Sequence, residues 1–580
     1  MLKLISFIKI IAILISISIS LSAFSKNLKI LNVNIVDVET GNVKNNQHIL
    51  IKNGVIDTIS DKPIFDNREA KAINGTDQYL IPGLIDSHVH YFQSGGLYTR
   101  PDALDLKYVK PYKAELKEIK RDLSDTFSRY LRSGITSTLD AGGPMWNFNA
   151  RDQAVGVLKS PNIKVAGPLL STNYTPKGLE SDDLAIVSVK DFEQAKPIID
   201  KQIKQGTDLI KIWFIRRDNR SLNEHKPLVE SIINEAHKHN VRVAVHATEL
   251  ASAKLAVALG ADILVHGIRD EVVDKSFIDT LLKNQVVYIP TLQVVEGYRR
   301  TFTQQFNFKK SDFEIANPFT MSSLFDLKVI NKDKFTQGLR DYMASKPEFK
   351  LNEIEIKNLL KLQKSGVIIA TGTDAGNIGT LPGSSYFREV ELMSNSGMSA
   401  LEILQASTIG GAHAMAMADE IGVIKEGFNA DLVLLKKNPL KNIENISSIV
   451  NVIKSGESFS SNEILDWSAA EVVHRQVNTY NARDIEAFLD TYSDDIEVYR
   501  LKEGKPVLSF KGKDVMRTRY TGLFDKFPEL HCEVLNRQVI NQFTIKDHER
   551  VTGLNGESLE AFATYTVKSG VITKVVFSKS

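Results

Sequence analysis

A single cysteine, Cys532, stands among 580 residues. Intramolecular disulfides are therefore excluded, and so are thiolate metal clusters; any bound metal must rest on His, Asp, Glu or Lys-derived ligands. The chain also lacks a block of Lys and Arg, with a formal net charge of +2 and a pI of about 8.2. Such a balance does not track a phosphate backbone, which argues against nucleic acid and leaves a small molecule as the expected ligand. Long apolar runs are scarce. The first, "IIAILISISISLS", follows Lys3 and Lys9 and precedes the small residues Ala23 and Ser25. It falls short of the roughly 20 apolar residues that span a bilayer. Residues 1–25 thus read as an export signal cleaved after Ser25, which places the mature protein in the periplasm or outside the cell. No cysteine lies near that junction, so lipid attachment is not expected there.

With 43% hydrophobic and 24% charged residues, the chain can build a large core over more than one domain. The stretch "LKILNVNIVDVETGNVKNNQHILIKNGVIDTIS" alternates apolar and polar residues between turn signals, and "IGVIKEGFNADLVLLKKNPLKNIENISSIVNVIKSGE" resumes that β character much later. Residues 26–80 and 412–465 are expected to close one composite β-sandwich around whatever lies between. Between them, residues 81–411 alternate short apolar strands with amphipathic helical patterns. Eight strands are predicted: "LIPGLIDSHVH", "GITSTLDAG", "IKVAGPLL", "DLIKIWF", "VRVAVHA", "ADILVHG", "VVYIPTL" and "VIIATGTDAG". Eight such units close into an α/β (β/α)8 TIM barrel with its active site at the C-terminal ends of the strands. Polar, aromatic residues 293–352 interrupt the seventh unit, as a lid or substrate-binding insertion would. Residues 468–580 form a further α+β domain.

The polar residues at the strand ends carry the chemistry. His88 and His90 end the first strand, Lys211 lies in the fourth, His246 ends the fifth, His266 the sixth and Asp374 the eighth. On an extended strand residues two apart point the same way, so the first H-x-H can aim both rings at one mouth. A second H-x-H, His237 and His239, ends a polar-faced helical stretch before the fifth strand and falls at the opposite face. Imidazole and carboxylate together suit Zn2+, with Mn2+, Fe2+, Co2+ and Ni2+ also open. Tyr98 and Arg100 after the first strand, and Arg216 and Arg217 after the fourth, are candidates to hold a substrate carboxylate.

These motifs resemble the amidohydrolase superfamily over residues 27–465, and "VAVHATELASAKLAVALGADILVHG", "VYIPTL" and "GTDAG" are most similar to its imidazolonepropionase-like and prolidase-like branch. The resemblance implies two divalent metal ions, most simply Zn2+, and a CO2-derived carbamate on Lys211 that bridges them. It assigns His88, His90 and Asp374 to one ion and His246 and His266 to the other. The implied activity is hydrolysis of an amide C–N bond by metal-activated hydroxide, with Asp374 as general base and then acid. Tyr288, at the end of the seventh strand, becomes a candidate oxyanion donor. Dipeptides or cyclic amides are the expected substrates, with lactone or ester hydrolysis as the alternative on the same site. The segment "VNTYNARDIEAFLDTYSDDIEVYR" resembles the SnoaL-like branch of the nuclear transport factor 2 fold. Some relatives are isomerases, which would make Tyr480, Asp494 or Asp495 pocket groups; others bind ligands or dimerise, and assembly into a homodimer or higher homo-oligomer is the expectation. On this reading the barrel needs nothing from residues 468–580 for its chemistry.

Overall fold

The computed structural model describes residues 27–64, 70–172, 176–179, 181–216 and 220–579. The expected export signal of residues 1–25 and the candidate Arg217 lie outside them. Among the described residues no helix is long and apolar enough to cross a membrane.

The two β-rich stretches share one eight-stranded sheet. They join where Tyr79–Pro82 pairs antiparallel with Leu432–Leu435. The first strand, Asn27–Val36, is irregular around Asn32, which adopts φ 57°. Its first half pairs with Ala70–Asn74 and its second with Tyr79–Pro82. Leu28, Ile30, Ile49 and Ile56 thereby meet Leu80, Leu432 and Leu434 in one core.

The segment between forms two parallel sheets. Leu84–Val89, Ile135–Asp140 and Asn162–Val165 make a three-stranded sheet. A seven-stranded sheet runs through Ile186–Ser188, Leu169–Ser171, Leu209–Trp213, Arg242–His246, Ile263–Val265, Val287–Ile289 and Ile368–Ile369. The two meet at two places. At one, Ser87 N donates to Thr371 O (2.9 Å) and Asp374 N to His88 O (2.8 Å); at the other, Asp208 N donates to Val165 O (3.0 Å). Where the sequence predicts one strand over "IKVAGPLL", the chain breaks at Gly167 and Pro168, because proline has no N–H to offer a ladder. Gln202 satisfies the break, accepting from Gly167 N (3.1 Å) and donating to Pro168 O (3.0 Å).

Burial on both faces explains the near-continuous apolar strands. One parity, including Leu139, Leu209, Ile263, Val265, Val287 and Ile289, forms an inner cluster. The other, including Ile210, Val243, Leu264 and Tyr288, packs against Phe127, Ile199, Val229 and Ile233 of the flanking helices.

The C-terminal region is a six-stranded sheet, with helices Ala469–Ala482, Ile485–Leu489 and Lys513–Lys526 contributing to its core. Ser468 and Glu471 form a capping box that starts the first helix. That helix docks onto the insertion: Asn478 Nδ2 donates to Pro318 O (2.7 Å), Arg475 Nε to Phe313 O (2.9 Å), and the Phe319 and His474 rings lie 4.6 Å apart. The insertion expected as a lid is thus also the platform for the last domain.

Candidate metal centre

A cleft of about 200 Å3 opens at the C-terminal ends of the parallel strands, and His88, His90, Lys211, His246, His266 and Asp374 all line it. Ligand atoms of His88, His90 and Asp374 lie within 4.8 Å of one another. His90 Nδ1 donates to Gly142 O (2.7 Å), which leaves Nε2 pointing at Asp374 Oδ1 3.1 Å away. His88 Nε2 lies 3.6 Å from the same oxygen. A neutral imidazole carries one N–H and Gly142 takes it, so the lone pair of His90 Nε2 and the carboxylate oxygen converge in the way a shared cation would satisfy. Across the cleft the His246 and His266 rings are 4.3 Å apart, and His266 Nδ1 is 2.7 Å from Thr291 Oγ1.

Electrostatics favour the same group. Burial, aided by the Lys211 charge, holds His88 well below the usual imidazole range, and burial does the same to His266. Burial thus disfavours the protonated form of both rings. Burial raises Asp374, but His88 and His90 outweigh it and keep the carboxyl ionised, well below its ordinary value. Lys211 Nζ is buried with no hydrogen-bond partner among the described residues, and burial lowers its ammonium to about 7. An orphaned amine that is substantially neutral near neutral pH can react with CO2, and the resulting carbamate supplies the oxygens that a metal pair needs. The residues present fit two divalent cations. His266 and Asp374 both adopt positive φ, 74° and 59°, a conformation that side chains larger than glycine take at a cost and that clusters at functional sites.

Other expected residues fall elsewhere. Tyr288 is corrected: its strand neighbours Val287 and Ile289 take the inward parity, so Tyr288 faces the helices and its hydroxyl accepts from Ile268 N (3.1 Å). His237 pairs with Asp262 at 3.0 Å, away from the cleft as its helix position predicts. Tyr98 donates to Asp326 (2.6 Å) in a neighbouring interdomain cavity. Arg216 binds Glu249 (2.8 Å) and does not line the cleft. Arg100 does line it, but both oxygens of Asp102 clamp it at 2.7 Å. In the C-terminal domain Tyr480 is buried among Phe488 and Phe524, whereas Asp494 and Asp495 are exposed and Asp494 pairs with Lys513. These three residues do not form a common pocket; the buried acids among the described residues there are Asp547 and Glu549, the latter bonded by the Tyr565 hydroxyl at 2.7 Å.

Asn377, Tyr298 and Arg269 also line the cleft and are not among the candidates that the sequence offers. Asn377 Nδ2 donates to Asp374 Oδ1 (2.8 Å), and its Oδ1 accepts from Arg100 Nη1 (2.6 Å) and Tyr298 Oη (2.9 Å). Asn377 follows Asp374 by three residues, a spacing the sequence displays. Tyr298 comes from the insertion helix Gln293–Thr303, and Arg269 follows His266 by three residues; neither has a signal beyond its neighbourhood.

Comparison with known proteins adds an independent line. The pattern of the amidohydrolase family matches residues 79–458, and that of a SnoaL-like domain matches residues 473–575. Ochratoxinase from Aspergillus niger is 22% identical over 426 residues, covering 67% of this chain and 77% of that protein. Imidazolonepropionase from Shouchella clausii is 22% identical over 423 residues, covering 67% and 78%. The crystal structure of a Xaa-Pro dipeptidase with bound methionine in the active site shares the fold, with a TM-score of 0.57 and 22% identity over 75% of this chain and 100% of that one.

Proposed function

The chain belongs to the amidohydrolase family and is a hydrolase, and we propose that it cleaves an amide bond of a small substrate with two divalent metal ions held at the barrel mouth. One observation carries this reading: six side chains from five separate strand ends line one cleft, with the Lys211 amine among them unpartnered. Hydrogen bonds that join the two parallel sheets at two places support a closed (β/α)8 barrel, and in such barrels active sites sit at the C-terminal face. His88, His90 and Asp374 would hold one ion, His246 and His266 the other, and carbamylated Lys211 both. Bound there, the ions supply Lewis acidity and acidify a water near neutral pH.

The chain's own groups do the rest. Gly142 O and Thr291 Oγ1 fix the His90 and His266 rings. Asp374 Oδ1 is engaged by Asn377, which leaves Oδ2 to take a proton from the attacking water and return it to the departing nitrogen. Phe92, Trp213, Leu169, Ile186 and Val294 wall the cleft and restrict water around the scissile bond. The identities of the relatives, an ochratoxinase, an imidazolonepropionase and a Xaa-Pro dipeptidase, point to dipeptides and cyclic amides first. Export by residues 1–25 belongs to the same proposal.

The test is a screen of the purified protein against dipeptides, N-acyl amino acids, cyclic amides and lactones, with metal analysis alongside. About two ions per chain and chelator-sensitive amide hydrolysis are expected. Hydrolysis of lactones alone, or full activity without metal, would overturn the reading.

A further inference from the structure

Two arginines line the cleft, Arg100 and Arg269, and they are held in opposite ways. Arg100 has its Nε and Nη2 on the two oxygens of Asp102, both at 2.7 Å, and its Nη1 on Asn377 Oδ1 at 2.6 Å. Its charge is neutralised and its forked edge is already spent on a carboxylate. Arg269 is tethered at its base and open at its head. Its main-chain N donates to Thr248 O (3.0 Å), its main-chain O accepts from Asn352 Nδ2 (3.3 Å), and only Nε reaches a partner, Glu355 Oε1 at 3.4 Å. Neither Nη atom makes a hydrogen bond among the described residues, the ion pair with Glu355 is made through Nε, and the side chain is 32% exposed.

The local sequence builds this arrangement. Gly267 is needed because a Cβ there would come within 1.9 Å of Glu355 Oε1, so the glycine admits the carboxylate that holds Nε. With Nε occupied, the guanidinium is oriented while Nη1 and Nη2 stay free. That edge matches the two oxygens of a carboxylate, and two parallel charge-assisted bonds are the strongest interaction it can make. Arg269 lies three residues beyond His266, on the rim of the same cleft.

We infer that Arg269 binds a carboxylate carried by the substrate, so that the site selects anionic amides, such as peptides or acyl amino acids with a free carboxyl group, over neutral ones. This inference rests on the hydrolase reading for its meaning, but binding tests it without turnover. Arg100, by contrast, is a positioning residue acting through Asn377.

The experiment is calorimetric titration of the metal-loaded protein with N-acetyl-L-phenylalanine and with its carboxamide. A hydrogen-bonded charge pair is worth about 1.5–3 kcal/mol, so the acid should bind about 10- to 100-fold more tightly than the amide. Arg269→Gln should reduce that preference to within a few-fold, Arg269→Lys should keep part of it, and Arg216→Gln should leave it intact. Circular dichroism and metal content verify that the variants fold. Equal binding of acid and amide, absence of binding by the acid, or a preference that survives Arg269→Gln would overturn the inference. If no amide is hydrolysed but the preference depends on Arg269, the hydrolase reading falls and the carboxylate site stands.

Discussion

At the scale of single residues, Asn377 is the most constrained group beside the candidate metals. It donates to Asp374 Oδ1 and accepts from both Arg100 and Tyr298, so one amide sets the rotamer of the proposed general base. Asn377→Ala should lower kcat by about 10- to 100-fold, as loss of a supporting hydrogen bond at a metal site does, with a smaller change in KM. Steady-state kinetics with metal content checked would decide, and an unchanged kcat would remove Asn377 from the machinery. Lys211→Ala should lose the metal pair, and a short carboxylic acid should restore part of the activity by filling the vacated space; full metal content in this variant would rule out the carbamate bridge. The histidines, Lys211 and Asp374 were legible because polar side chains ending apolar strands have no packing reason to be there. Tyr288 was misjudged for a physical reason: strand alternation gives the inward positions to Val287 and Ile289, and only beyond the strand, at Thr291 with φ 50°, does the chain turn toward His266. Arg269 has no sequence signal that sets it above Arg100, since an arginine clamped along its forked edge and one held only at Nε look alike until the partners are placed.

Among the elements, the strand pattern was read well wherever both faces are apolar and less well where one expected strand hides a break, as at Gly167 and Pro168. The C-terminal sheet shows alternation that could have been followed further. In the strand Thr544–Leu554, Ile545, Asp547 and Glu549 share the buried parity, so the alternation marks the inward acids, whereas Asp494 and Asp495, candidates through the resemblance to SnoaL-like isomerases, are exposed. Asp547 is neutralised by Arg537, with its two oxygens 2.8 and 2.5 Å from the guanidinium. Among the described residues Glu549 has only the Tyr565 hydroxyl as a hydrogen-bond donor, and burial pushes its carboxyl up to about 7. The folded domain therefore holds this proton more tightly than the unfolded chain does. Its stabilising contribution is complete below the ordinary value of 4.5 and is lost as pH rises toward about 7. Glu549→Gln keeps an acceptor for Tyr565 and removes the buried charge. It should raise stability at pH 8 by on the order of 1–3 kcal/mol and change it little at pH 4. Urea unfolding at the two pH values reads this directly, and an equal effect at both would show that Glu549 is not the group that titrates.

For the whole molecule, the sequence shows a stretch resembling the amidohydrolases and a SnoaL-like stretch after it but gives no hint of how they depend on each other. Independence was the expectation, because the metal-ligand candidates all lie before residue 468. The structure joins the two through the insertion. Phe313, Met321, Leu324, Phe325, Ile378 and Leu381 form one apolar cluster with Ala487 of the last domain, and Tyr298 and Ala482 pack at its edge. Ile378 is the chain neighbour of Asn377, and Tyr298 bonds Asn377, so the cluster that receives the C-terminal helices also backs the group that orients Asp374. A chain ending at Asp466 should therefore still bind metal, since the strand ends have their own core, yet lose stability and turnover as Tyr298 and Asn377 loosen. A milder perturbation of the intact chain separates this from gross misfolding: Met321→Ala removes a side chain 1% exposed in the same cluster and should cost about 2–4 kcal/mol. Its kcat should fall while its metal content holds. Thermal unfolding, metal analysis and kinetics on both proteins provide the readouts. If the truncated chain keeps full kcat, the insertion positions Tyr298 unaided and the last domain serves some purpose other than bracing the cleft.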